Sequence, residues 1–289
     1  MTVNLDTHQP TNLWFDVLRR MARHPTGMFG VGIVTLLILV GIVGPTIAPY
    51  DPNEMDFAAR FGPPSAAHLM GADDFGRDIL SRLMVGARVS LQVALIAVGI
   101  ATVAGTLLGM VAGYSNRVVD EIIMRSMDVL FAFPAILLAI AILAALGKGI
   151  ANAMIAIGIV YTPIFARIAR SAVISVRGEE FVEAAKAIGA SRGRILFRHI
   201  FPNSLAPLIV EISLSLAFAI LAEAALSFFG LGTQPPDPSW GRMLSEGRGY
   251  FRQSIWLGVF PGLAIMLTVM GFNFLGDGLR DALDPRMKR

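Results

Sequence analysis

The chain has 289 residues, 55% of them hydrophobic and 16% charged, with a mean hydropathy of +0.65 and a formal net charge of +3. A soluble domain carries about 25% charged residues, so too few polar side chains remain here to coat a soluble core of this size. That composition argues against a cytosolic enzyme, a disordered chain and a secreted disulfide-rich protein, and it makes the apolar span of about 20 residues the unit of organisation.

Six apolar spans are predicted, all helical. The first is Met28–Ala48. It does not read as a signal peptide, because a polar stretch precedes it, the apolar run is long, and no small-x-small cleavage site follows. The second is Val89–Ala112. The third, Ser126–Leu146, and the fourth, Ile150–Ile168, are separated by the turn Gly147-Lys148-Gly149. The fifth is Ala206–Phe229 and the sixth Ile255–Leu275. Between the first two lies a mixed-charge segment, Asp51–Arg88, whose stretch Gly76–Gly86 reads as a short amphipathic helix leading into the second span. Residues Gly230–Arg252 read as a loop with a stiff extended turn at Gln234-Pro235-Pro236-Asp237-Pro238.

Lys and Arg divide about two to one in favour of the side that carries the N-terminus, the loop after the fourth span and the tail. The positive-inside rule therefore puts both termini inside. Tyr50, Trp240, Tyr250 and Trp256 at expected outer boundaries, and Trp14 near an inner one, fit interfacial belts. The small basic excess suits orientation in a membrane, not nucleic-acid binding.

Several features inside the spans admit two readings. Gly105, Gly109 and Gly113 lie four apart on one helix face and permit close helix approach; packing within the chain is the commoner use, a subunit interface the other. Pro134, Pro163 and Pro261 fall in spans and free backbone carbonyls. Glu211 and Glu223 in the fifth span differ by about 120° around the helix, so they do not line one file. Glu211 is a possible pathway residue for a substrate amino group, against the commoner hydrogen bond to a neighbouring span; Glu223 falls near the outer surface. Asp277, Arg280, Asp281 and Asp284 have the spacing of a solvated ion-pair ladder.

No catalytic constellation is present. Without cysteine there are no disulfides, thiolate nucleophiles or Cys-based metal sites, and His8, His24, His68 and His199 are scattered. There is no Walker A loop, no His-Glu-x-x-His and no Gly-x-Ser-x-Gly. The chain therefore reads as a non-enzyme with no cofactor and no metal.

The polar stretch Gly178–Asn203 is too polar to enter a bilayer and too patterned to be slack. Phe181, Ala184, Ala185 and Ile188 recur at helical spacing. Glu179, Glu180 and Glu183 crowd the first turns, where the helix dipole favours anions. Gly189 is a helix stop and Ser191 a cap for a second helix bearing Arg192, Arg194 and Arg198, with Ile195 and Leu196 on its apolar side. The stretch is a helix–turn–helix whose first helix offers the small pair Ala184-Ala185 to a partner; a helix lying on lipid headgroups is the alternative.

Glu183-Ala184-Ala185, three residues, Gly189, and Pro202 thirteen residues beyond it resemble the EAA loop of ABC-importer permease subunits. His199 and Phe201 depart from the general motif toward the ending of the peptide-importer branch. Further blocks resemble the C-type permease subunits of the dipeptide, oligopeptide and glutathione branch: Gly76–Arg82, Gly86–Leu91, Asp128–Pro134, Leu226–Gly232 with Pro235-Pro236 and Trp240-Gly241, and Gly276–Pro285.

The resemblance implies a type I ABC-importer transmembrane fold in a bacterial inner membrane. It divides the chain into a cytoplasmic segment (1–27), a first helix (28–50), an external segment (51–85), a permease core (86–280) with its coupling loop at 178–202, and a cytoplasmic tail (281–289). Glu183, Ala184, Ala185, Gly189 and Pro202 become the ATPase-coupling residues. The implied partners are a second homologous permease, two cytoplasmic ATPase subunits, an extracytoplasmic substrate-binding protein and membrane lipid, with no nucleic acid. The implied cargo is a di- or oligopeptide or a relative such as glutathione, with nickel or another small solute as the alternative. An ion-coupled secondary transporter and a membrane scaffold are the rivals outside the class.

Overall fold

The computed structural model describes residues 19–283. Among them there is no β-strand, only one isolated bridge between Ala72 and Asp78. In chain order, α1 (Pro25–Ile47) leads through a segment holding one 3-10 turn (Phe57–Ala59) to α2 (Ile79–Tyr114). Next come α3 (Arg117–Phe131), α4 (Ala135–Leu146) and α5 (Ile150–Val176). A short polar excursion follows: α6 (Glu180–Ala187), α7 (Arg192–Arg194), a π-helical turn (Ile195–Ile200) and α8 (Phe201–Asn203). The chain closes with α9 (Leu205–Phe228), α10 (Trp240–Gly247) and α11 (Trp256–Leu283).

Five helices, α1, α2, α5, α9 and α11, are long and apolar enough to cross a membrane. The third expected span is broken: α3 and α4 meet at 94° across Ala132-Phe133-Pro134. Pro134 occupies the N-cap position of α4, where its missing N–H costs no helical bond. Residues 126–131 therefore belong to an amphipathic helix and not to a straight span. The pair still carries the chain from one end of the bundle to the other. It starts beside Tyr114, and its far turn is held where the Gly149 N–H donates to the Leu231 carbonyl, 3.1 Å away. At 12 residues α4 is about 18 Å long, less than the roughly 30 Å hydrocarbon layer.

Helix α2 is the central post. It packs on α1, α5, α9 and α11. The expected amphipathic helix at 76–86 is not separate: Asp78 caps α2, its carboxylate accepting from the Ser81 N–H at 2.7 Å, and the helix then runs unbroken for 36 residues. The glycine stripe packs inside the chain. A Cβ on Gly105 would fall 2.5 Å from the Thr162 carbonyl of α5, and one on Gly113 would fall 2.9 Å from that of Arg170. Close approach of the two backbones is the structural use of this stripe.

The two ends of the bundle are distinct. Residues 48–78, the 147–149 turn and residues 229–255 gather at one end. Residues 115–116 and 177–204 gather at the other, together with the start of α1 and the end of α11. Gly27 lies against Gly278 there, and His24 Nε2 sits 2.9 Å from Asp281. Arg280 has no carboxylate partner among the described residues, and the rung expected between Arg280 and Asp284 falls outside them. Asp284, Trp14, His8 and the last basic residues lie outside the described residues.

Two aromatic and loop expectations also change. Trp240 is not an interfacial anchor; it is buried, and its indole N–H donates to the Leu83 carbonyl at 3.1 Å. Residues 230–252 are not all loop. Ser239 caps α10 by accepting from the Arg242 N–H, and Trp240, Met243 and Gly247 face inward at helical spacing.

Candidate functional site

The 178–202 stretch folds as a rigid bracket. Helix α6 starts with Glu180 and Glu183 in its first turn, on the favourable side of the helix dipole. It ends in a Schellman motif: the Gly189 N–H donates to the Lys186 carbonyl at 3.0 Å and the Ala190 N–H to the Ala185 carbonyl at 3.1 Å. Gly189 has φ of +79°, the left-handed region where a Cβ is strained. Ser191 then caps the following turn. This is the stop-and-cap pattern that the sequence predicts.

The bracket is bolted to the bundle. Val182 and Ala185 of α6 pack with Ile195 and Ile200 against Val173 at the end of α5 and Met110 near the end of α2. A guanidinium N–H of Arg177 donates to the Gly113 carbonyl at 2.9 Å, which ties the loop entry to α2. Ala185 is only 5% exposed, so Ala184 and Ala185 do not share one outward surface. The outward stripe is Phe181, Ala184 and Ile188, and Ile188 is 86% exposed. Glu183 is exposed and pairs with Lys186 at 2.7 Å. Pro202 is exposed in α8. Of the sequence-derived residues, Glu183, Ala184 and Gly189 thus lie on the solvent side of the bracket, Ala185 fastens it, and Pro202 marks its exit. Beside the bracket an open cavity of about 660 Å³ is lined by the 114–116 turn, Arg177, Glu183, Lys186 and Arg192.

Helix α3 braces the same end. Asp120 accepts two hydrogen bonds from the Arg170 guanidinium, that from Nη2 at 2.6 Å. Arg167 meets Asp128 at 2.7 Å and stacks over the Phe131 ring at 4.1 Å.

The two carboxylates of α9 differ. Glu211 is half-buried and accepts from Ser215 on its own helix at 3.0 Å, not from a neighbouring span. Glu223 is interior, 1% exposed, and accepts from Ser227 at 2.7 Å and from Ser90 of α2 at 3.0 Å.

One cluster escaped the sequence reading. At the opposite end from the bracket, Glu246 of α10 is shared by three arginines. Arg77 lies at 3.1 Å, Arg82 at 3.0 Å and Arg242 at 2.9 Å. Asp73 holds Arg77 at 2.6 Å, and Arg82, 1% exposed, also donates to the Pro52 carbonyl. Burial, reinforced by the neighbouring Asp73 charge and opposed by Arg77, raises the Asp74 carboxyl above its usual range. Arg77 and Arg82 lie more than 160 residues from Glu246 in sequence, and that separation hides the cluster.

A broken-helix bundle carrying a rigid polar bracket at one end defines a membrane permease subunit. The chain belongs to the family described as the binding-protein-dependent transport system inner membrane component, whose model matches residues 105–289. Residues 12–64 match the N-terminal TM domain of oligopeptide transport permease C. The chain is 50% identical to the dipeptide transport system permease protein DppC of Alkalihalophilus pseudofirmus, over 98% of this chain and 93% of that protein. It is 44% identical to the glutathione transport system permease protein GsiD of Pectobacterium atrosepticum, over 95% and 92%. Its fold is that of a chain in the inward-facing MetNI methionine ABC transporter, with a TM-score of 0.57, 17% identity, and coverage of 69% of this chain and 94% of that one. The all-helical importer fold and the permease family expected from the EAA-like loop are those observed.

Proposed function

We propose that the chain moves di- or oligopeptides, or a small relative such as glutathione, across the inner membrane, driven by cytoplasmic ATPases that grip the 178–202 bracket. The observation that carries this reading is the build of the bracket: a short helix locked by Gly189, fastened through Val182 and Ala185 to the ends of α2 and α5, with Phe181, Ala184 and Ile188 left outside. A lever must be stiff to pass a difference in contact free energy from a motor to the spans. The relatives named for dipeptide and glutathione transport support the cargo class.

In this reading the bracket end is cytoplasmic, with both termini, and the 48–78 end faces outward to a substrate-binding protein. The two-to-one basic excess at the bracket end supports it. So does the outer cluster, where Arg77, Arg82 and Arg242 are held by Asp73 and Glu246. The proposed division into cytoplasmic 1–27, first helix 28–50, external 51–85, core 86–280 and tail 281–289 follows from it. Two brackets are needed for two ATPases, so a second homologous permease completes the pore. Of the two carboxylates in α9, the half-buried Glu211 is the one able to meet a peptide amino group; Glu223 is fully enclosed. Reconstitution with the partner ATPases and receptor tests the reading. Glu183→Lys or Gly189→Trp should leave the protein in the membrane and separate ATP hydrolysis from peptide uptake. Normal coupled uptake by both variants would overturn it.

A further inference from the structure

A second feature lies on the flank formed by α1 and α2. A groove of about 530 Å³ runs between α1, α2, α9 and α11. Its floor is apolar and buried, formed by Val34, Leu91, Leu216 and Phe272. Its rims are exposed Ile38 and Ile42 on α1 and exposed Leu95 on α2. Along α2 the lining positions are 88, 91, 92, 94 and 95, one helical stripe. At the end of that stripe nearest the outer segment stands Arg88. It is exposed, and no carboxylate lies within ion-pair distance of it among the described residues. The other arginines of the outer segment and of α10 that reach the interior, Arg77, Arg82 and Arg242, are all paired.

We propose that this groove is a phospholipid site, with one acyl chain laid along the floor and the phosphate on Arg88. A cation at the mouth of an apolar slot calls for an anionic head on an apolar tail. A guanidinium presents the donor fork that fits phosphate oxygens. The eight-residue rise of the α1 rim makes the groove about 12 Å long, room for a stretch of one hydrocarbon chain beside the cation; a helix of a second permease seated on the same face is the outcome that the cross-linking arm below detects. The floor residues are already buried by the chain itself, so the lipid completes a surface rather than holding the helices together. The lipid therefore seals the flank beside α1, where Gly41 brings that helix against Leu91 and Arg88.

The site requires only that the chain crosses a bilayer, so it stands apart from the cargo and coupling proposals. The test is native mass spectrometry of the full chain, purified in mild detergent with the partners it retains and titrated with palmitoyl-oleoyl phosphatidylglycerol. Wild type should hold one tightly bound phospholipid per chain. Arg88→Gln should lower its occupancy about tenfold at limiting lipid, the scale of one charge-assisted hydrogen bond, and Arg88→Lys should restore most of it. Leu95→Trp, which fills the slot from an exposed position, should lower it as well. All four proteins should keep the same thermal stability once lipid is stripped. Equal retention by wild type, Arg88→Gln and Leu95→Trp would overturn the proposal. So would efficient photo-cross-linking to a second permease from a thiol-reactive probe on Ile38→Cys, which would make the groove a subunit interface.

Discussion

Gly109 of α2 lies directly against Ala169 of α5: a Cβ on the glycine would fall 2.7 Å from the alanine Cβ, with the Arg170 amide nitrogen at 2.9 Å. Both neighbours belong to a helix that cannot retreat without unpacking the centre of the bundle. Gly109→Leu should therefore destabilise the protein by about 3 kcal/mol or more, at the upper end of overpacking costs. Thermal unfolding in detergent checks this. Gly99→Leu on the same helix, where a Cβ meets nothing within 4 Å, is the control and should leave the midpoint unchanged.

Glu223 ties α9 to α2 through Ser90, from deep inside the bundle. Glu223→Ala would strand the hydroxyls of Ser90 and Ser227 and open a cavity, costing about 2–4 kcal/mol. Glu223→Gln keeps one acceptor oxygen and should cost about 1 kcal/mol. The contrast between the two midpoints is the measurement; equal losses would mean that packing alone matters there.

The Glu246 cluster fastens the 48–78 segment and the start of α2 to α10. Glu246→Gln leaves Arg77, Arg82 and Arg242 around a neutral amide, and breaking a buried pair costs about 3–5 kcal/mol. Hydrogen exchange should then quicken across residues 51–78 while α5 stays protected. Asp74 adds a pH signature. Its carboxyl is raised by burial, so its contribution to stability is present at low pH and is lost as pH rises through the folded-state value. Asp74→Asn should be more stable than wild type at neutral pH, and the gap should shrink on acidification. A gap that widens on acidification would contradict the burial.

Gly189 separates backbone from contact. Its Cβ position is open, yet its φ is +79°. Gly189→Asn, which tolerates that region, should keep the bracket folded. Gly189→Val should loosen it by about 1–2 kcal/mol even before any partner docks. Limited proteolysis within 178–203 distinguishes the two.

Much of this architecture is legible in the chain, because long apolar runs, the Gly189 stop and the Ser191 cap are local signals. The helical recurrence of Phe181, Ala184, Ala185 and Ile188 predicts α6 correctly, but not which of them faces in. Ala185 turns inward because Ile195 and Ile200 fold back beneath it, a tertiary fact that periodicity does not carry. Pro134 announces a disturbance in the third span, but not a 94° break. Helix α10 is eight residues long and follows a Pro-rich turn, so its inward stripe at Trp240, Met243 and Gly247 is easily read as loop. Arg82 and Glu246 look like ordinary surface charges until the fold brings their helices together.

The central claim is that the outward stripe of α6 is held by a cytoplasmic motor. The chain has no cysteine, so Ile188→Cys, at the most exposed position of the stripe, is a unique probe. In membranes from cells carrying the full transporter, this cysteine would be labelled with a short thiol-reactive photo-cross-linker and irradiated. The account predicts an adduct between this chain and an ATPase subunit whose yield changes on adding ATP. Labelling of the same cysteine by an impermeant maleimide added to intact cells, with no ATPase adduct, would contradict it.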